Sequence, residues 1–470
     1  MTGNRAMLRA YRVPLAPSPA QQHSLMSHAG AARWAYNLAL SAKIQARLIW
    51  EKRVLSEVMG GSSAAEARKA VKVRTPTATL IDKARVRVRG TDRSGAPCTP
   101  DWGAAQDILV AALEDEEVAS LILERWAARC ADPSRGIQPW AADVPNSVIQ
   151  RGEKDADRAW NNWMDSVTGR RSGRRVGFPR FHGKGDRESF YLTNTECRVV
   201  TGRRIRLGGI LGEVRTHQGM RRLVKALNVR RGRVMGVTVA WDGRRWFASV
   251  LVEEQAADPR PTRRQVSSGA VGVSIGIEDH RIVLSTGEAF ENPRLADSAQ
   301  DKITRRSRKL ARTGWITDPE TGRRRPSRRR VKARRSLARA HAEVAARRQT
   351  ATHAVSRRIV DGWATVVVED LDVVGLTASA RGRRGRPGRG VKAKTAVNRA
   401  TLDVAPGELR RQIEYKAEWS GTVVEVVDPV PRPGCPIHGA TAKPDTDAVD
   451  CSCGLVADRE TAARIVDKAR

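Results

Sequence analysis

Three segments far apart in the chain constrain the fold more than any other feature, because each reads as a strand or strand end carrying a polar position where an apolar run meets a turn. AVGVSIGIEDHRIVLSTGEAFENPR begins at Ala270, WATVVVEDLDVVGL at Trp363 and CSCGLVADRETAARIVDKAR at Cys451. Short Val/Ile runs of this kind suit strands buried on both faces of a sheet. The second segment ends on Glu369 and Asp370, and in the third Asp458 opens a helix. Three carboxylates gathered from such distant strands are what a two-metal phosphodiester site needs. Hard cations about 4 Å apart take oxygen ligands and share a carboxylate between them. In the first segment the corresponding position is Ser274. The frame is complete, with one metal ligand removed.

The charge balance points to the partner. Lys and Arg number 85 against 51 Asp and Glu, a formal net charge of +34 over 470 residues. A field of that sign concentrates polyanions and gives a large sequence-independent affinity for phosphate backbones. A membrane surface is the alternative, but no basic amphipathic helix with an aromatic face stands out. No apolar run reaches the roughly 18 residues of a membrane span and the N-terminus lacks a signal pattern, so a cytoplasmic location is expected. The six cysteines do not have the look of a disulfide framework.

Taken in order, residues 7–15 alternate like a short strand, and Ser18-Pro19 caps a helix running to about Trp50. Trp34, Tyr36 and Leu38 interleave with apolar positions and read as core rather than as stacking platforms. Residues 51–141 alternate helical patterns with turn-rich stretches and read as a helical lobe. A further helix starts after Pro145. The basic link that follows, residues 168–189, either hugs a phosphate backbone or is a flexible tether. Residues 189–253 change to a two-residue period with a hairpin turn at Asp242-Gly243, which reads as a small β-barrel completed by the N-terminal strand. A long basic helical pair then surrounds a turn at DPETG, with an Arg density at 323–335 too high for an ordinary solvated face. The final order of strand, hairpin, helix, strand, helix, strand, helix is that of a ribonuclease-H-like α/β domain. The fold class is therefore α+β and multidomain.

GVSIGIEDHRIVLSTGEAFENPR, VVVEDLDVVGL, NRATLDVAPGELRRQIEYKAEWSG and CGLVADRETAAR, in this order, resemble the TnpB and compact type V CRISPR effector nucleases with a RuvC domain. PRFHGKGDRESF and RWFASVLVEE add to the likeness, which covers about residues 5–50 and 142–470. The resemblance implies a first wedge strand at 1–17, a helical recognition lobe at 18–175 with 51–141 as a possible insertion, and a β-barrel at 176–262. It further implies a RuvC-like domain at 263–432, a zinc-ribbon-like loop at 433–454 and a closing RuvC-like segment at 455–470. Guide RNA and target DNA are the implied partners: the protein reads a short flanking motif and duplex shape, and pairing reads the sequence. Glu369 and Asp458 match the second and third catalytic carboxylates, which would hold Mg²⁺, and Ser274 sits where the first aspartate belongs.

A neutral hydroxyl is a poor Mg²⁺ ligand and brings no charge to hold two cations together. Glu278 and Asp279 are the candidate substitutes, although they fall near the hairpin turn. Zinc would be held by Cys435, His438, Cys451 and Cys453, an acceptable tetrahedral set with a tight one-residue spacer that Asp450 could relieve; a metal-free loop is the alternative. Candidate phosphate contacts are Arg33, Arg180, Lys184, Arg328, Arg329, Arg330, Arg334, Arg335 and Arg410. Three functions remain open on the sequence. One is an RNA-guided DNA binder with lost cleavage, acting by occupancy. The second is an RNA-guided endonuclease that tolerates Ser274, and the third a transposon accessory that binds nucleic acid without a guide.

Overall fold

The computed structural model describes residues 4–92, 96–130, 132–138, 144–173, 175–185, 188–229, 231–257, 259–277, 280–319, 322, 324–383, 386–430 and 459–469. The chain divides into two compact units, Ala6–Gln255 and Ala256–Arg470, the latter taking in Met1–Arg5. No described helix is long and apolar enough to cross a membrane.

The first unit opens with β1 (Asn4–Ala16) and α1 (Pro19–Met59). Ser18 accepts the Gln21 backbone N–H at 3.2 Å, and the Gln21 side chain accepts the Ser18 N–H at 3.1 Å. This capping box, with Pro19 just inside, starts the helix where the sequence predicts. The helix does not stop near Trp50. Residues 51–59 hold no Gly or Pro, an Arg47–Glu51 pair at 2.8 Å spans the expected end, and the chain turns out only at Gly60-Gly61. Five more helices follow: α2 (Ala64–Ala70), α3 (Ala78–Arg87), α4 (Trp102–Leu113), α5 (Glu116–Ala127) and α6 (Asn146–Val167). Leu38, Leu40 and Ile49 of α1 share one core with Ile81, Leu109, Ile122 and Trp160. Gly152 lets α6 approach α1, since a Cβ there would stand 2.5 Å from the Ala32 carbonyl oxygen.

The same unit contains β2 (Ser189–Thr193), β3 (Cys197–Thr201), β4 (Arg204–Leu207), β5 (Gly212–Thr216), α7 (Arg221–Asn228), β6 (Arg233–Trp241) and β7 (Trp246–Ala257). The strands form one seven-stranded sheet in the order β2-β6-β7-β1-β5-β4-β3. The N-terminal strand is thus its middle member, joining two groups formed much later in the chain. Val13 and Leu15 of β1 bury against Phe190, Leu192, Val237 and Val250, the inward set of the two-residue alternation. At the β6–β7 turn the Asp242 carboxylate accepts the N–H groups of Arg244 and Arg245 at 2.8 Å, and Gly243 has φ 91°.

The second unit begins with α8 (Arg263–Ser268), β8 (Ala270–Ile275), β9 (Arg281–Leu284) and β10 (Ala289–Glu291). Then come α9 (Leu295–Ala311), the hairpin β11 (Trp315–Thr317) and β12 (Arg324–Pro326), and α10 (Arg328–Gly362). After β13 (Thr365–Glu369) and α11 (Val373–Leu376), a two-residue ladder pairs β14 (Gly382–Arg383) with β15 (Arg386–Pro387). The last described elements are α12 (Val391–Val404), α13 (Pro406–Ser420), β16 (Val423–Val427) and α14 (Arg459–Ala469). The five-stranded sheet runs β10-β9-β8-β13-β16. β8, β13 and β16 are parallel and the β9–β10 side is antiparallel. Parallel neighbours need crossovers, which α9–α10 and α12–α13 supply.

The two faces of this sheet are different. Val271, Val273, Val366 and Val368 pack with Ile359 of α10 and with Leu409 and Ile413 of α13. Val367, one residue out of phase, packs with Ile465 and Val466 of α14. Gly272 lies on that α14 face. A Cβ there would come 1.9 Å from the Ala462 carbonyl oxygen, a backbone atom that cannot swing aside. Gly272→Ala is therefore expected to destabilise the unit by roughly 1–3 kcal/mol. Thermal unfolding reads it, and an unchanged midpoint would mean α14 docks differently.

Candidate active site

The strand register brings two of the three predicted positions together. Val273 of β8 pairs with Val368 of β13, so the next step along both parallel strands sets Ser274 beside Glu369. Side chains alternate in strands; Ser274 therefore shares the face of Gly272, and Glu369 that of Val367. Both belong to the α14 side of the sheet, at the C-terminal ends of its parallel strands. Open α/β sheets hold their ligands at that edge.

Burial sharpens the chemistry. Ser274 is 0 % exposed, and its Oγ has no hydrogen-bond partner among the described residues. Glu369 is 4 % exposed and its Oε1 accepts the Val430 N–H at 2.9 Å. A buried carboxylate held by a backbone donor is an oxygen group fixed in place. The serine beside it is an unsatisfied hydroxyl carrying no charge.

Asp458 lies outside the described residues, as do Glu278, Asp279 and the zinc candidates Cys435, His438, Asp450, Cys451 and Cys453. The acidic residue nearest Asp458 that the structure describes is Glu460, exposed in the first turn of α14. Sequence reading passed over it, although it stands two positions beyond Asp458. Among the described residues no group of three or more His, Cys, Asp or Glu could hold a metal. The adjacent Asp370 is engaged by Arg410. The described donors at this place, one carboxylate and one alcohol, are fewer than a two-cation Mg²⁺ site takes, and no hydrolytic step follows from them.

The predicted basic contacts divide into two sets. Arg33 is paired with Glu188 at 3.1 Å. Arg330 donates to the Thr313 carbonyl at 2.7 Å and stacks 4.6 Å over Trp315, tying α10 to the end of α9. Arg410 holds Asp370 and, at 2.8 Å, Glu414. These three have work inside the fold. Arg180, Lys184, Arg328, Arg329, Arg334 and Arg335 are exposed. The link around residue 180 is a docked segment, since His182 exchanges hydrogen bonds with Asn37 at 2.8 and 3.0 Å and stacks on Tyr36 at 4.0 Å.

A family profile described as "Probable transposase" matches residues 249–380, and one described as "Helix-turn-helix domain" matches 7–47. In this chain the latter span is a strand followed by one unbroken helix. An Escherichia coli protein described as "Putative RNA-guided DNA endonuclease InsQ" is 30% identical over 305 residues, 65% of this chain and 68% of that one. A Mycobacterium tuberculosis protein of the same description is 30% identical over 306 residues, 64% of this chain and 61% of its own length. A Streptomyces pristinaespiralis relative is 33% identical over 193 residues, 41% of this chain and 40% of its own. A Cas12f1 complex with guide RNA and target DNA aligns over 98% of both chains at 8% identity, but its TM-score of 0.39 carries no argument.

Proposed function

The chain belongs to the TnpB-like family of RNA-guided DNA endonucleases, and from that premise we propose that it binds a guide RNA and a matched DNA target but has lost efficient cleavage, acting by occupying the target. The observation that carries this reading is Ser274, a buried neutral hydroxyl beside Glu369 where a two-metal site of a ribonuclease-H-like domain requires a carboxylate. The excess of basic residues supports nucleic-acid binding, and the exposed arginines at the start of α10 supply phosphate contacts.

The test is a guide-loaded preparation offered a matched duplex with Mg²⁺. Binding is expected without strand scission, and affinity should fall by orders of magnitude between 50 and 200 mM salt as counterions are released. Cleavage abolished by Glu369→Ala would replace this reading with that of an active enzyme. That second reading draws on one observation, the retained and well-held Glu369 carboxylate.

A further inference from the structure

The helical part of the first unit and the basic link line a half-open cavity of about 420 Å³, in the size range of sites that take small ligands. Trp34 of α1, Trp126 of α5 and Phe181 of the basic link line it, with Arg33 and Arg129 and the apolar Ile137. The aromatic content is high for a chain with only 4% aromatic residues.

Two features of the lining await a ligand. Trp126 is 1 % exposed, and its indole N–H has no acceptor among the described residues. A buried donor in that state is costly unless an incoming group accepts from it. Phe181, in contrast, is 48 % exposed although it belongs to a segment fixed by the Asn37–His182 hydrogen bonds. The Arg129 guanidinium lies 5.5 Å from its ring centroid. Arg129 has no carboxylate partner among the described residues, whereas Arg33 is neutralised by Glu188. The site thus offers aromatic faces, one buried donor and one uncompensated cation.

A flat, hydrogen-bond-accepting ring with a phosphate attached matches all three. We propose that this cavity receives an unstacked nucleobase of an RNA, its ring against Phe181 and the partly exposed Trp34, an acceptor of the base on the Trp126 N–H, and the adjoining phosphate on Arg129. Structured RNA presents bases in loops and bulges that are already unstacked and are read by aromatic and arginine planes. A DNA duplex would first have to flip the base out at a free-energy cost. The assignment rests on the reading of the protein as an RNA binder and gives that RNA a specific pocket in the helical lobe.

The probe is a 20-nucleotide single-stranded RNA of mixed sequence, with single-stranded DNA of the same sequence beside it, titrated on the full chain at several salt concentrations. Phe181→Ala is expected to weaken RNA binding roughly tenfold at an unchanged salt slope, because stacking is not electrostatic. Arg129→Ala should weaken it and lower the slope by about one. Trp126→Phe, which keeps an aromatic side chain but removes the N–H and part of the buried bulk, should lose RNA affinity beyond what its lowered unfolding midpoint accounts for at a temperature where it stays folded. Ultraviolet crosslinking of the wild-type complex should map nucleotides to the peptides carrying Trp126 or Phe181, which covers the case of a variant that fails to fold. Wild-type RNA affinity in Phe181→Ala and Trp126→Phe, or crosslinks only elsewhere, overturns the proposal. So does a loss confined to the DNA. Guided binding to a DNA target is measured separately; its absence alongside these RNA losses would leave the pocket standing and remove the guide reading.

Discussion

Ser274→Asp is expected to make the stability of the second unit depend on Mg²⁺ and to restore cutting of a guide-matched target. Without the cation, the new carboxylate is buried beside Glu369 on the same face of the sheet, with neighbouring strands about 4.8 Å apart. Two like charges so placed cannot both stay ionised comfortably, and an uncompensated buried charge costs about 3–5 kcal/mol. The variant should therefore unfold several degrees below the wild type in chelator. Added Mg²⁺ should raise its midpoint in a concentration-dependent way, by linkage to the folded state. The wild type, with one described carboxylate at this place, should respond little. Cleavage by the variant that disappears on Glu369→Ala would locate the lesion in the family's chemistry at this one side chain. A variant whose midpoint ignores Mg²⁺ would show that position 274 is not part of a cation site.

What could be read from the sequence was local. Ser18-Pro19 and Asp242-Gly243 announce a helix start and a hairpin because their signals reside in a few adjacent side chains, and the Val run ending on Glu369 announces a strand for the same reason. The pairing of Ser274 with Glu369 depends on register between strands separated by about a hundred residues, so sequence gives the two positions but not their shared face. Charge was misleading where partners are remote. Arg33 looks free until the fold sets it against Glu188, 155 residues away, and Arg410 until it meets Asp370. The helix α7 was missed because RRLVKALN is short and sits among strands, where alternation dominates. The cavity was invisible because α1, α5 and the basic link each contribute a wall.

Arg85→Met is expected to cost about 3–5 kcal/mol, because it leaves a buried acid without its cation. Arg85 is fully enclosed. Its guanidinium donates to Glu153 at 2.7 Å, Gln138 at 2.8 Å and Asn146 at 3.0 Å, and also to Asp82, so one side chain satisfies acceptors from α3, α6 and the segment between α5 and α6. The Glu153 Oε2 has no partner among the described residues. Burial pushes the Glu153 carboxyl up to about 7, even with the Arg85 charge pulling it down. The folded chain therefore holds that proton more tightly than the unfolded chain, whose glutamate titrates near 4.5. The stabilisation linked to it is complete below 4.5 and is lost as pH rises through 7. Without Arg85 the downward pull is gone, so the penalty of Arg85→Met should be smaller at pH 5 than at pH 8. Adding Glu153→Leu should recover most of the loss at pH 8, since the fully buried acid is then gone and only the part-exposed Asp82 is left without its Arg85 partner. Chemical unfolding midpoints at the two pH values decide it. An equal penalty at both would mean that Glu153 keeps one protonation state throughout, and that Arg85 acts through packing and its neutral acceptors alone.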